Sequence, residues 1–564
     1  METKQMRRQP LPCEAPPIQP ENEGGSAGLF RRAVGYGVTR PVLVVALFTL
    51  VLLLVVLSGA HRSSSLGVLL SSRSPSKQVA NGSCTAPSPA AEPPKDKFLG
   101  GGLLSAAFDE ASCLSRSQSS LYRKPSNDTP SPYLIDRLRR YETLHKRCGP
   151  NTELYKKAVE QLKSNRSTGP SECNYVVWLP ADGLGNRIIS ITSAFLYALL
   201  NDKVLLLDLP HDMGDLFCEP FPDTSWVLPA DFPIDNRNWI FEKDPHSYGN
   251  MLKSEVLSND MDIADASSLP AYLYLHLLHA NDEYDKMFYC EEGQRLLRKF
   301  PWLLLRSNEY FVPAFFFVPE FEEELGLLFP EKATVFRHLG RYLFNPSNSV
   351  WGYITRYYDA YLASAKAKLG IQIRIFAFAN VEFDVMASQI INCSMTQKLL
   401  PEVDLKDSAP PVIAGAQPKA VLVTSLLDGY FEKLRNMYYE HATTTGEVIG
   451  VYQPSHEEHQ HTEKLSHNMK AFAEIYLLSL SDELITSPFS TFGYVAHGLG
   501  GLRPWILVRS DNRNPSCVRS MSAEPCFHFP PSYDCKTRRK VDKGSVVPFV
   551  RHCEDFFLGI KISD

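Results

Sequence analysis

One stretch constrains the fold of this chain more than any other: residues 174–209, NYVVWLPADGLGNRIISITSAFLYALLNDKVLLLDL. Two short apolar runs, Tyr175–Leu179 and Val204–Leu209, read as buried strands. Between them a helical pattern opens directly after the turn Asp182-Gly183-Leu184-Gly185-Asn186-Arg187. A strand, a glycine loop and a helix start make a site suited to anions, because glycine allows close backbone approach and the helix N-terminus offers free N–H groups and positive dipole. Arg187 adds fixed charge and Asn186 adds amide donors. The ligand such a loop suits carries phosphate; a tight βαβ turn that holds nothing is the competing reading.

A second alternating series begins near Gly370. Ile371–Phe376, Ala420–Leu426, Glu447–Tyr452, Glu483–Thr486 and Pro504–Val508 read as strands. The helical stretches Asp428–His441 and Lys464–Leu480 lie among them. Leu465, Met469, Phe472, Ile475, Tyr476 and Leu480 fall at helical spacing. Strands alternating with helices imply an α/β fold with parallel sheets covered on both faces. Two such lobes place a ligand cleft outside the carboxyl ends of their strands. The segment from Leu205 to Tyr310 is mixed, with short elements and prolines.

The N-terminal part sets the compartment. Residues 41–60, PVLVVALFTLVLLLVVLSGA, form an uncharged apolar run long enough to span a bilayer core of about 20 residues. Arg31, Arg32 and Arg40 precede it, so a cytoplasmic tail at 1–40 and a lumenal remainder are expected. Residues 61–95 are rich in Ser, Pro, Gly and Ala and read as a flexible stem. Eleven of the 12 cysteines follow the apolar run, none in a zinc-type spacing, so disulfides are expected with one thiol left over. Sequons begin at Asn81, Asn127, Asn165 and Asn392. A net charge of -5 gives no basic face for nucleic acid.

Several residues are candidates for chemistry. Arg374 sits inside the apolar run Ile371–Phe376, where an arginine is costly unless paired. It is either half of a structural ion pair or a bidentate clamp on a diphosphate. In Ser487-Pro488-Phe489-Ser490-Thr491-Phe492-Gly493, Ser490 and Thr491 can cap a helix and donate to phosphate. Gly498, Gly500 and Gly501 read as a turn before the last strand. The histidines of Ser455–His461, SHEEHQH, invite a metal but read better as a solvated loop. Asp260-Met261-Asp262 resembles a DxD metal motif yet follows no long apolar strand, and no metal site is expected. No GxxxxGKS or GxxxxGKT loop occurs.

Longer motifs carry a resemblance: ADGLGNRIISITSAFLYALLNDKVLLLDL, ATVFRHLGRYLFNPSNSVWG, LGIQIRIF, KAFAEIYLLSLSDELITSPFSTFGYVAHGLGGLRPWIL, EPCFHFPP and FVRHCEDF. In this order they are similar to the plant xyloglucan fucosyltransferases, from about Phe98 to near the C-terminus. The resemblance implies a GT-B-like α/β fold of two Rossmann-like lobes facing a cleft. The first lobe, 96–345, is expected on the acceptor side and the second, 346–516, on the GDP-fucose side, with a Cys-rich C-terminal wrap at 517–564. It also implies that Arg374 holds the GDP diphosphate and that Ser490, Thr491, Phe492 and Gly493 line the donor site. Gly183, Gly185, Asn186 and Arg187 would line the cleft, with Asp182 as a second catalytic candidate. No metal or other cofactor is expected, arginine and helix N-termini taking a cation's place.

Two departures concern the acceptor. Where the family pattern has SDNYFVP or similar, this chain has Ser307-Asn308-Glu309-Tyr310-Phe311-Val312-Pro313, and the HPxN after YLF is Asn345-Pro346-Ser347-Asn348. Asn308 and Glu309 are the acceptor candidates. The resemblance implies a Golgi type II membrane enzyme moving fucose to a terminal galactose of xyloglucan, with an arabinogalactan-protein or pectic acceptor as the alternative and a homodimer as a candidate assembly. An inactive glycan-binding scaffold on the same fold is the non-enzymatic reading.

Overall fold

In the computed structural model, residues 99–564 are described except 127, 165–170, 259–269, 280–281, 377–380, 407–416 and 509–515. The apolar run 41–60, the stem, the sequons at Asn81, Asn127 and Asn165, and Asp260-Met261-Asp262 lie outside the described residues. Among the described residues, no helix is long and apolar enough to cross a membrane.

The first sheet has four parallel strands in the order β2-β1-β4-β3: β1 (Tyr175–Leu179), β2 (Val204–Leu207), β3 (Tyr272–Leu277) and β4 (Trp302–Ser307). β1 is fully buried between β2 and β4, with Tyr175 opposite both Val204 and Trp302. Its continuous apolar sequence follows from that position, since a central parallel strand is covered on both faces. Helix Leu184–Leu200 makes the crossover to β2 and is buried along almost its whole length. Trp178 Nε1 donates to Ser190 Oγ at 3.0 Å, fixing the helix on β1. β3 and β4 arise inside the segment that sequence reading left as mixed. Each runs six residues and is buried almost throughout, too short to separate from a buried helical turn by periodicity.

The second sheet has the order β10-β9-β8-β5-β6-β7. Its strands are β5 (Ala367–Ile373), β6 (Lys419–Ser425), β7 (Ile449–Tyr452), β8 (Glu483–Thr486), β9 (Trp505–Leu507) and β10 (Cys517–Arg519). All neighbours are parallel except β9 and β10. Helices Gly429–Glu440 and Leu465–Leu478 match the expected pattern. β5 ends at Ile373, earlier than the apolar run suggests, so Arg374 stands just past the strand. The arginine within a buried strand is Arg306 on β4, 8 % exposed, which donates to the carbonyls of Ile240, Arg237 and Asn238.

One hydrophobic core runs through both sheets' flanking helices. Helix Thr491–Gly500, which follows β8, packs on helices Leu184–Leu200 and Val335–Leu343. A Cβ at Gly498 would sit 2.3 Å from the Phe336 ring, so glycine sets how closely these helices approach. Gly498 and Gly500 are helical, and Gly501, at φ 68°, closes the helix in the left-handed conformation. The C-terminal segment folds back onto the first lobe: Tyr310 OH donates to Glu524 Oε2 at 2.5 Å and Phe336 N–H to Glu524 Oε1 at 2.8 Å. The strands β11 (Val550–His552) and β12 (Ile560–Ile562) form an antiparallel pair in it.

Five disulfides join Cys113–Cys218, Cys148–Cys173, Cys290–Cys535, Cys393–Cys517 and Cys526–Cys553. The cysteine left over after the apolar run is Cys84, outside the described residues. Asn392 is exposed on helix Phe383–Thr396.

Candidate functional site

The carboxyl ends of β5, β6 and β8 open into a cavity of ≈ 210 Å³, closed on the other side by the glycine loop of the first lobe. Gln372 and Arg374 reach it from the end of β5, Thr424 from β6, and Ser490 and Thr491 from the turn after β8. Gly183, Leu184, Gly185 and Asn186 supply the opposite wall. Ligands bind at such strand ends because the loops there are free to vary while the sheet holds them in place.

Arg374 is the main positive charge lining this cavity from a strand end. Its backbone N–H donates to Ser487 Oγ at 2.9 Å, which ties the end of β5 to the turn after β8. The guanidinium is partly buried and lies over the Phe376 ring at 5.4 Å. It forms no ion pair with a carboxylate among the described residues, which removes the structural ion-pair reading. Burial alone pulls its pKa below the ordinary guanidinium value, with no acidic neighbour to restore it. A half-buried cation left without a protein counter-charge favours an anionic ligand.

Two helix starts meet at this point. Ser490 is the N-cap of helix Thr491–Gly500 and accepts from Gly493 N–H at 3.5 Å. A Cβ at Gly185 would lie 2.6 Å from Thr491 Oγ1 and 2.8 Å from Phe492 N, so the start of helix Leu184–Leu200 abuts it directly. Gly185 therefore serves the approach of one lobe to the other rather than of backbone to ligand. Asn186 bridges the same seam: its Oδ1 accepts from Thr491 Oγ1 at 3.0 Å and its Nδ2 donates to Asn308 O at 3.0 Å. Gly493 lies behind the cavity, where a Cβ would meet Gln372 Oε1 at 2.8 Å, so its part is close packing. Phe492 lines the cavity as expected.

Arg187 does not supply charge to the cavity. Its NH1 pairs with Asp212 Oδ2 at 2.6 Å and its Nε donates to Asp182 O at 2.8 Å. Asp212 Oδ2 also accepts from Asn468 Nδ2, on helix Leu465–Leu478, at 2.9 Å. The arginine is thus consumed in a second bridge between the lobes.

The acceptor candidates do not line this cavity. Asn308, 3 % exposed, donates from Nδ2 to Asp182 Oδ2 at 2.6 Å, contacts His279 Nδ1 at 2.6 Å and accepts His279 N–H at 3.0 Å. Asp182 is held at φ 55°, a left-handed conformation costing ~1–2 kcal/mol for a residue with a Cβ. Its carboxylate faces Asn308 and does not line the cavity. Glu309 is buried, accepts from His528 N–H at 3.1 Å, and has its pKa pushed up to about 8 by burial. In the 345–348 turn, Ser347 donates to Asp215 O and Asn348 Nδ2 to Ala111 O, and neither lines this cavity.

Other lining groups escaped sequence reading. Gln372 Oε1 and Thr424 Oγ1 are buried without a hydrogen-bond partner. Their place at two adjacent strand ends was the available signal, since residues there face the crevice. Ser455, Glu457 and Gln460 belong to the segment read as a solvated loop, yet they line the cavity. Ser455 Oγ donates to Glu474, whose pKa burial raises to about 7, and Glu457 pairs with Lys470 at 2.5 Å. His456 and His461 pair with Asp428 and Glu463.

The chain and its fold have counterparts among known proteins. A family model for xyloglucan fucosyltransferase matches residues 72–536. The chain is 55 % identical over 471 residues to a galactoside 2-alpha-L-fucosyltransferase of Arabidopsis thaliana, covering 83 % of each chain. It is 51 % identical over 473 residues to the Pisum sativum protein of the same name, covering 83 % of this chain and 82 % of the relative. Among solved structures, a mutant of Arabidopsis thaliana FUT1 in complex with GDP is 54 % identical and superposes with a TM-score of 0.76, over 83 % of this chain and 100 % of that one. With six motifs, two largely parallel sheets and the match over most of its length in agreement, the chain belongs to the xyloglucan fucosyltransferase family.

Proposed function

We propose that this chain transfers L-fucose from GDP-fucose to a terminal galactose of a xyloglucan-type wall glycan in α-1,2 linkage, on a GT-B-like pair of lobes. The observation that carries the reading is Arg374, a half-buried guanidinium without a carboxylate partner, facing the capped start of helix Thr491–Gly500. That relatives at 51–55 % identity are named galactoside 2-alpha-L-fucosyltransferases, and that a solved relative holds GDP, supports the donor and the class of acceptor.

In this reading the diphosphate lies between Arg374 and the Ser490–Thr491 turn. The acceptor hydroxyl oxygen bonds to the anomeric carbon from the face opposite GDP while the bond from that carbon to the β-phosphate oxygen breaks. The electron pair leaves on the diphosphate, where the guanidinium and the helix N–H groups meet the growing charge. The acceptor proton passes to solvent, since an oxocarbenium-like state demands little from a base. Gln372 Oε1 and Thr424 Oγ1 are placed to bond the nucleotide sugar's hydroxyl and N–H groups. Transfer needs no metal in this scheme, and activity should survive EDTA.

The apolar run 41–60 and its preceding arginines support a single-pass anchor with the catalytic part in the Golgi lumen. The test is incubation of the protein with GDP-fucose and a panel of galactosylated wall glycans, followed by linkage analysis. Transfer to xyloglucan in α-1,2 linkage is expected. Transfer only to arabinogalactan or pectic acceptors, or none to any, would overturn the assignment.

A further inference from the structure

Helix Thr491–Gly500 reaches from the donor cavity to a second, smaller cavity of ≈ 80 Å³ at its carboxyl end. Arg116, Arg123, His338 and Arg341 line this second cavity, and Asp128 is the one carboxylate among the lining residues. Asp128 is already taken by Arg337. The other acidic groups near Arg116 are engaged elsewhere: Glu142 with Arg139 at 2.9 Å, and Glu219 with Ser225 Oγ and Trp226 N–H.

The guanidiniums spend their hydrogen bonds on neutral oxygens. Arg341 Nε donates to Leu499 O at 2.8 Å and its NH2 to Gly500 O at 3.3 Å. Arg123 donates to Leu499 O at 3.2 Å and to Ser479 O at 3.4 Å. Capping of the helix carboxyl end accounts for these contacts. It does not account for the number of charges, because carbonyl dipoles leave several full cations at close range uncompensated. Arg116 and Arg337, each 6 % exposed, keep Nε atoms buried without a partner. His338, 5 % exposed, lines the cavity beside them. Burial lowers Arg337, and it lowers Arg341 with Arg123 and Arg337 adding repulsion. One negative ligand in this cavity would meet Arg116, Arg123 and Arg341 at once.

Size narrows the ligand. The cavity has room for several waters, each needing roughly 10–15 Å³ on this scale, but falls far short of the ~300 Å³ of a nucleotide-sized pocket. We infer that the pocket formed by Arg123, His338 and Arg341 binds a small tetrahedral oxyanion of the phosphate class, at a site separate from the donor cavity.

The experiment titrates inorganic phosphate into the full-length protein and follows the thermal midpoint. The wild type and Arg374→Ala, which disables the donor cavity, should show the same rise. Arg123→Gln combined with His338→Gln should weaken the phosphate response by about tenfold or more while GDP binding is unchanged. An undiminished response in that double variant, or loss of the response in Arg374→Ala, overturns the inference. A second test is independent of how the variants fold: crystals of the unaltered protein grown with tungstate should show the anion between Arg123, His338 and Arg341, and an empty pocket overturns the inference.

Discussion

Asn186, in the first turn of the first lobe's glycine-loop helix, accepts a hydrogen bond at 3.0 Å from the hydroxyl of Thr491, in the first turn of the second lobe's helix. The pair stitches two helix N-termini together beside Arg374. The positive ends of two dipoles and one guanidinium thereby face a common space. Neither lobe could create that concentration of positive potential alone.

Arg374→Ala should remove transfer activity by on the order of 10²–10³ in kcat while leaving the thermal midpoint within a few degrees of wild type. Arg374→Lys should recover only a small part, because an ammonium cannot bond two phosphate oxygens in a fork. Steady-state kinetics with GDP-fucose, alongside thermal unfolding, checks both. Activity near wild type in the alanine variant would exclude the donor clamp.

Gly185→Ala places a methyl 2.6 Å from Thr491 Oγ1 and 2.8 Å from Phe492 N. Much of the opposing surface is backbone, so the lobes must separate slightly. A loss of about 1–3 kcal/mol in stability is expected, the usual range for overpacking. KM for the donor should rise as the cavity wall shifts. Chemical denaturation and donor-dependence curves measure the two effects.

Glu309 contributes a pH dependence of defined sign. Burial raises its pKa to about 8, so the folded protein holds a proton there that the unfolded chain releases near pH 4.5. Stability is therefore greatest below about pH 4.5 for this group and declines as pH rises towards 8. Glu309→Gln should flatten part of that decline and stabilise the protein at pH 8 by about 1–2 kcal/mol. Glu474 and Glu524, each raised to about 7, retain the same trend in the variant. Urea midpoints from pH 5 to pH 8 test the prediction.

Asn308→Asp sets a second carboxylate 2.6 Å from Asp182 Oδ2, where an amide now donates. Two carboxylates that close share one proton, so the variant should be stable at pH 5 and lose about 1–3 kcal/mol by pH 8. Adding Asp182→Asn should restore much of the loss. Denaturation of Asn308→Asp, Asp182→Asn and the double variant at both pH values gives the coupling, and additive effects would show that the contact is unimportant.

The α/β class, the first crossover and most of the second sheet were legible in the chain because they rest on local patterns. A continuous apolar run marks a buried parallel strand, and 3.6-residue spacing marks the helix that covers it. That Arg374, Ser490 and the glycine loop meet at one cavity was legible as well, since each sits at a strand end or a helix start. The roles of individual side chains were not. Arg187 looks like an anion ligand until Asp212 is brought to 2.6 Å, and Asn308 looks like an acceptor contact until Asp182 and His279 enclose it. Gly185 looks like a phosphate loop residue until Thr491 comes against it from the other lobe. The partners of these residues lie 25 to 306 positions away in the chain, as do those of the cysteines in each disulfide. Sequence determined which segments are strands, which are helices and where the crevice opens, because those depend on neighbours within a few residues. Tertiary structure decided which polar groups are spent on holding the lobes together and which, like Arg374, are left facing the cavity, because that depends on which charges the fold brings within hydrogen-bond range.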